Sequence, residues 1–431
     1  MLSYINISNF KSLVDTKTTL GMFNVFIGNN GAGKSSFFRA LSFLRDLVRH
    51  DSINTALDMQ GATFADLVNL RAQEKAIKFQ CRVQKEPLDK ADASFDADVR
   101  IVVKKRKFLY IDSESVLPWD RRGIELESES DLEDLPYGIY RFRRTMIAHE
   151  KGYDSIHYSN AVVAHSLLRD VLRHHHLLRL ADKQPRFPAL SYIARNINSY
   201  RHFEIWGPGP LRLPSKQLGA PSRYMSEDGQ GLASTLFSLR RLDRDKFDLL
   251  LDEMQHAYPW LNEIEFRRYP DSSLGLSFAE KSGLPASSRN HGRSYSTKKY
   301  NSNQVSDGFL RFLALATVKY TANRSWIIAY EEPENGLHPS LIGRTAKMLR
   351  QIAESGTQVL VSTHSPMFVS EVFAAQSAEQ VANELRLVRR HEQGDTTISS
   401  VDVKKIEETM SHGLSVGDMW SMLLDEKYLE S

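Results

Sequence analysis

Short apolar runs of strand length alternate with amphipathic stretches at the two ends of this chain, and a long middle breaks the pattern. Near the N-terminus, residues 24–27 (NVFI) form a short apolar strand. A glycine-rich loop follows, and then FFRALSFLRDLV sets Phe37, Leu41, Leu44 and Val48 on one helical face. Toward the other end, residues 309–318 read as an apolar helix and 326–330 as a buried strand. Residues 341–353 read as a helix and 358–362 as another strand. Strand–helix alternation with short links predicts a parallel sheet covered by helices. There is no internal repeat and no sustained heptad pattern, so long coiled-coil arms are not expected. In the middle, residues 161–181 and 232–260 alternate apolar and charged positions at helical spacing. They are expected to pack as a lid beside the sheet or to dock a partner. Residues 282–303 are almost free of aliphatics and read as a long, mildly basic loop.

Composition narrows the class. At roughly 100–200 residues per domain, 431 residues allow either several domains or one large domain with insertions. A hydrophobic content of 41% with 25% charged residues excludes a wholly disordered or fibrous chain. Lys+Arg 56 against Asp+Glu 53 gives a net charge of +3, which excludes a uniformly basic coat but not a local patch. Residues 112–136 carry nine acids and two arginines, a balance of −7. Residues 137–223 carry fourteen Lys/Arg and five acids, a balance of +9, with seven of the fourteen histidines. The acidic run is expected to be a solvated linker. The basic run is a solvated face, an internal partner for the acids, or a track for a nucleic-acid backbone. Its densest part holds Arg141, Arg143, Arg144, Arg173, His174, His175, His176 and Arg179. The triple histidine is poor metal evidence, because consecutive helical positions point about 100° apart. Cys81 is the lone cysteine, no apolar run is long enough to span a bilayer, and the N-terminus lacks a secretory pattern. A cytoplasmic protein without membrane contact is expected.

Residues 28–36, GNNGAGKSS, carry the first sharp chemistry. They match G-x-x-x-x-G-K-[ST] between a strand and an amphipathic helix. Glycines let successive backbone N–H groups curl round a phosphate, and the helix N-terminus adds its positive dipole end. Gly28, Asn29, Asn30, Gly31, Ala32, Gly33, Lys34, Ser35 and Ser36 are therefore the predicted nucleotide-binding residues. Lys34 would reach the β- and γ-phosphates, and Ser35 would ligate Mg²⁺. The second feature is a strand ending in two acids, WIIAYEEP. Carboxyl ends of strands in open α/β sheets face ligands. Glu331 would hold the metal or its water shell, and Glu332 would act as general base. A third strand ends in Ser362-Thr363-His364, where His364 could donate a hydrogen bond to the γ-phosphate.

Together these segments resemble the ABC-type ATPases, in the branch containing SMC, RecF and the OLD-like nucleases. YINISNFKSL resembles that branch's opening strand before Walker A, and VSDGFLRFLALATV resembles its signature motif. IIAYEEPENGLHPSL resembles Walker B, the catalytic glutamate and the D-loop, and VLVSTHSPMFV resembles the switch-histidine segment. Residues 191–278 resemble the family's lid more loosely.

The resemblance implies an α/β P-loop NTPase of the ABC-type head, with a long mixed helical and strand insertion (lid) between Walker A and the signature. Residues 1–84 and 301–431 would build the head and 85–300 the insertion. It implies ATP and Mg²⁺ as cofactors and a dimer-borne site. Ser306, Asp307 and Gly308 would cap the γ-phosphate held by a second copy, and Glu334 and Asn335 would lie at the junction. Three departures stand out. The signature reads SDG, the first Walker B acid is Glu331 where Asp is commoner, and Gln60, Gln73 and Gln80 compete for the Q-loop position.

Functionally, the resemblance implies the ATPase subunit of a bacterial anti-phage defence system that controls a separate effector, a nuclease or toxin. No Toprim-like or H-N-H pattern follows His364, so a nuclease would be another polypeptide. The alternative is a RecF-like DNA-repair ATPase, supported by the basic stretch. A transporter motor is disfavoured by the N-F-K-S strand, the insertion and the signature.

Overall fold

The computed structural model describes residues 1–50, 53–85, 95–105, 109–118, 140–142, 194–205, 207–216, 223–281 and 298–424. In chain order its strands are β1 (Leu2–Phe10), β2 (Leu13–Thr19), β3 (Phe23–Ile27), β4 (Ala76–Lys85), β5 (Phe95–Lys105), β6 (Leu109–Pro118), β7 (Tyr140–Phe142) and β8 (Tyr200–Phe203). There follow β9 (Ser215–Lys216), β10 (Leu261–Arg268), β11 (Ser273–Glu280), β12 (Lys299–Asn301), β13 (Ile327–Glu331), β14 (Gln358–Thr363), β15 (Leu385–Arg390) and β16 (Thr396–Ser400).

The central sheet has the order β16-β15-β3-β14-β13-β8. Its pairs are parallel except for the antiparallel edge strand β16. Every residue of β3, β13 and β14 is buried, as the continuous apolar runs require for strands covered on both faces. The period of two divides them between two cores. Phe23, Val25, Ile27, Ile328, Tyr330, Val359 and Val361 enter one core; Phe26, Ile327, Ala329 and Leu360 enter the other. The first face is covered by the helices Asp307–Thr321, Pro339–Glu354 and Pro366–Phe373. The second is covered by the helix Lys34–Arg49 and by residues of β1 and β4. Phe26 meets Phe37 and Phe38 at ring-centroid distances of 5.0 and 5.4 Å, which fixes that helix on the sheet. Truncating a buried Phe of this kind to Ala costs about 3–5 kcal/mol.

Two antiparallel sheets flank this unit. One has the order β2-β1-β4-β5-β6-β7; the other pairs β10, β11 and β12, with β9 beside β11. Neither was legible as a sheet in the sequence. The interval 232–260 forms two helices, Leu232–Leu242 and Arg244–Ala257, broken at Asp243. Asp243 ends the first and caps the second, its carboxylate accepting from the Lys246 N–H at 3.2 Å.

The strand β8 lies within the expected insertion, yet it pairs in parallel with β13, with His202 opposite Ala329. The central sheet therefore draws on three parts of the chain rather than two. The expected helix at 161–181, the acidic run from 119 onward, and the basic cluster of Arg143, Arg144, Arg173, His174 to His176 and Arg179 lie outside the described residues. Two described cations of the basic stretch are engaged internally. Arg212 pairs with Asp307 at 2.5 Å, and Arg201 lies over the Trp326 ring, 5.3 Å from its centroid. Among the described residues, no helix is long and apolar enough to cross a membrane.

Candidate functional site

The loop after β3 opens a cleft of about 980 Å³ at the carboxyl ends of the parallel strands. Asn29 to Ser36 line it, together with Glu331, Glu332, Asn335 and His364. Gly28 stands behind the lining, where its carbonyl accepts from Lys34 Nζ at 2.6 Å. Two of the loop's glycines are dictated by close approach. A Cβ on Gly28 would overlap the Val388 carbonyl, and one on Gly33 would overlap the Thr396 side chain. Gly33 also has a φ of 112° and precedes the first helical residue, Lys34. The loop thus turns left-handed where the helix starts, which sets a helix N-terminus at the cleft. Burial lowers the Lys34 ammonium from its ordinary range, opposed by the negative charges of Glu332, Glu331 and Glu334.

Strand alternation sends Ile327, Ala329 and then Glu331 to the face that carries the Lys34–Arg49 helix. There Ser35 Oγ donates to Glu331 Oε2 at 2.7 Å. The other oxygen, Oε1, lies 2.8 Å from His202 Nε2. Burial pushes the Glu331 carboxyl up, but the hydrogen bonds from His202 and Ser35 outweigh it and hold the group below its ordinary value. A hydroxyl beside an ionised carboxylate is a hard oxygen set of the kind Mg²⁺ takes, so the residues present fit that ion.

Glu332 leaves the strand with a φ of 45°, a left-handed conformation rare for a side chain of this size. Two backbone bonds hold it there: its N–H donates to Ser362 O at 2.9 Å, and its carbonyl accepts from Asn335 N–H at 3.0 Å. The turn aims its carboxylate at His364, with Nδ1 2.7 Å from Oε2. A carboxylate and an imidazole thus meet at the ends of adjacent strands. Glu334 lies beneath them, buried. One oxygen accepts from Thr363 Oγ1, and the other has no hydrogen-bond partner among the described residues. Burial, reinforced by the Glu332 charge, pushes its carboxyl up to about 8.

The signature residues lie elsewhere. Ser306 caps the helix Asp307–Thr321, accepting from the Phe309 N–H at 3.2 Å. Ser306 and Asp307 are exposed, and Gly308 is packed where a Cβ would overlap the Gly336 carbonyl. None of the three lines the cleft. The Q-loop candidates do not line it either; Gln60 instead donates to Asp46 at 2.7 Å.

Sequence reasoning missed several residues that the fold brings in. Asp66, Asn69, Leu70 and Arg71 line one side of the cleft, and Arg390, Gly394 and Asp395 line another. Lys11, in the quoted N-F-K-S segment, also lines it; its backbone N–H donates to Leu67 O at 2.7 Å. His202 carries no motif, and only the parallel pairing of β8 reveals it.

A glycine-rich loop on a helix N-terminus, with carboxylates at the ends of neighbouring parallel strands, defines an α/β fold of the P-loop kind. The chain belongs to the family described as "AAA domain, putative AbiEii toxin, Type IV TA system", whose model matches residues 23–370. No curated protein matches it. Solved structures similar in shape include an SMC head bound to the C-winged helix domain of ScpA, at 13% identity and a TM-score of 0.46, covering 94% of this chain and 99% of that one. The SMC head domain from Thermotoga maritima gives 10% and 0.41, covering 93% and 99%. An Smc head domain with an extended coiled coil, bound to the C-terminal domain of ScpA derived from Pyrococcus furiosus, gives 13% and 0.44, covering 95% and 98%. These overlaps are loose.

Proposed function

We propose that this chain is a cytoplasmic ATPase that binds ATP with Mg²⁺, closes on a second copy around the nucleotide, and hydrolyses it to control a separate effector. The observation that carries this reading is the convergence of the loop 28–36, the Ser35–Glu331 pair and the Glu332–His364 pair on one cleft. Loop N–H groups and Lys34 bind the β- and γ-phosphates. In the structure Lys34 Nζ is held by the Gly28 and Asn29 carbonyls at 2.6 and 3.2 Å, so it swings from backbone acceptors to phosphate oxygens. Ser35 and Glu331 hold Mg²⁺, which when bound neutralises phosphate charge. Glu332 takes the proton from the attacking water, and His364 orients Glu332 and reads the γ-phosphate.

Exposure of Ser306 and Asp307, away from their own chain's cleft, supports a γ-phosphate cap supplied by a partner copy. In this reading residues 1–84 and 301–431 frame the head, and 85–300 form a lid that lends β8 to it. The family's description names a putative toxin and a toxin–antitoxin system, and in this reading the effector is a separate toxin or nuclease of bacterial anti-phage defence. Turnover assays with light scattering test the site. Glu332→Gln should lower hydrolysis at least 100-fold and trap an ATP-bound dimer. Unchanged turnover would remove Glu332 as the base, and a monomer at saturating ATP would remove the shared site.

A further inference from the structure

The proposed chemistry of the cleft gives no role to the buried imidazole of His202. His202 comes from β8, at the far edge of the central sheet and just past the long excursion between β7 and β8. Register alone delivers it. Its pairing with Ala329 gives it the same facing as Glu331, toward the helix Lys34–Arg49. It is 5% exposed, so its hydrogen bonds face little competition from water. Phe38 packs edge-on against its ring at a centroid distance of 5.6 Å. Tyr200, on the same face of β8, donates its hydroxyl to the Phe38 carbonyl at 3.0 Å, tying strand to helix.

The ring nitrogens have different partners. Nε2 lies 2.8 Å from Glu331 Oε1, and Nδ1 lies 3.3 Å from Ser42 Oγ. A carboxylate only accepts, so Nε2 carries a proton and donates it. Where the ring is neutral, Nδ1 then accepts from the Ser42 hydroxyl, and that bond selects the Nε2–H tautomer. Glu331 thus has one oxygen held by His202 and the other by Ser35. Glutamate has one more rotatable bond than aspartate, and the His202 bond removes that freedom.

We infer that His202 is a positioning residue, which locks the Glu331 rotamer so that its second oxygen and Ser35 form a preorganised pair for the divalent ion that accompanies the nucleotide. This rests on the proposed ATP–Mg²⁺ reading of the cleft. Outer partners of this kind typically set metal affinity by 10–100-fold. Ser42 acts one step further back, through the tautomer.

The test measures binding of a fluorescent ATP analogue to the full chain, in Mg²⁺ and in EDTA, and Mn²⁺ binding to the nucleotide complex by electron paramagnetic resonance. His202→Leu should leave the affinity in EDTA unchanged and raise the half-saturating Mg²⁺ or Mn²⁺ concentration about tenfold. His202→Gln, which can place an amide N–H near the position of Nε2, should recover most of that loss. Ser42→Ala should shift metal affinity in the same direction by a smaller factor, and keeps the test open if the leucine variant fails to fold. Unchanged metal dependence in a folded His202→Leu chain, or an equal loss of affinity with and without metal, would overturn the positioning role. A wild-type chain that binds no nucleotide, or binds it without metal dependence, would instead sink the reading beneath it.

Discussion

Two helix N-termini in this molecule look alike in sequence and differ in their surroundings. The helix at Lys34 follows Gly33 and faces a cleft furnished by its own chain, with Ser35 bonded to Glu331, and Glu332 bonded to His364 nearby. The helix at Asp307 follows Ser306, also starts beside a serine and a glycine, and presents Ser306 and Asp307 to solvent away from that cleft. The first already holds cations, carboxylates and a fitted loop. The second holds a capped helix start, with Asp307 paired to Arg212 of its own chain. An anion site needs both oriented donors and an anion, so in the proposed reading the first terminus seats the nucleotide and the second caps it from another copy.

The largest effect should come from the first terminus. Lys34→Ala removes the loop's buried cation and should weaken ATP binding at least 100-fold, a charge-assisted contact of about 3 kcal/mol. Retained tight binding in a titration would break the phosphate-loop reading. The second terminus should answer differently. Ser306→Arg puts a bulky side chain where a partner's phosphate would dock. It should leave ATP affinity of the single chain within about threefold and abolish the ATP-dependent dimer. Equal loss of both, or of neither, would erase the distinction between the two termini.

A smaller effect sharpens the chemistry between them. Glu334 is held near 8 in the folded chain against an ordinary 4.5. Between those values the folded chain keeps a proton that the unfolded chain releases, so stability falls as pH rises through that window. Glu334→Gln removes the titration. It should melt higher than wild type at pH 8, with the difference shrinking as the pH falls toward 4.5. A constant offset across that range would mean the carboxyl is not the titrating group.

What the sequence revealed follows a physical rule. Loops that must bend backbone round a phosphate leave a dense local code, and GNNGAGKSS was readable for that reason. Buried strands on both faces leave uninterrupted apolar runs, so β3, β13 and β14 were readable within a residue or so. Features set by pairing across long separations left no such mark. In the antiparallel sheet of β1, β2 and β4 to β7 the pairing of β1 with β4 joins residues as far apart as Leu2 and Val83, and the strands are less uniformly apolar. His202 sits in YRHF, where only its register against β13 gives it meaning. Arg390 and the β15–β16 hairpin enter the cleft from beyond the last recognisable motif. The break at Asp243 was available locally, as a good capping residue inside a long periodic stretch, and periodicity alone hid it.

The place of β3 in the sheet has a consequence for how the molecule comes into being. β3 leaves the ribosome before the strands it pairs with, and the phosphate loop follows directly behind it. Its two neighbours, β14 and β15, begin at Gln358 and Leu385. The wall against which Gly28 and Gly33 are fitted, Val388 and Thr396, arrives later still. During synthesis the loop is therefore made before the strands that give it its shape, and it cannot take up its fitted conformation until the segment through Thr396 has been made and folded back onto it.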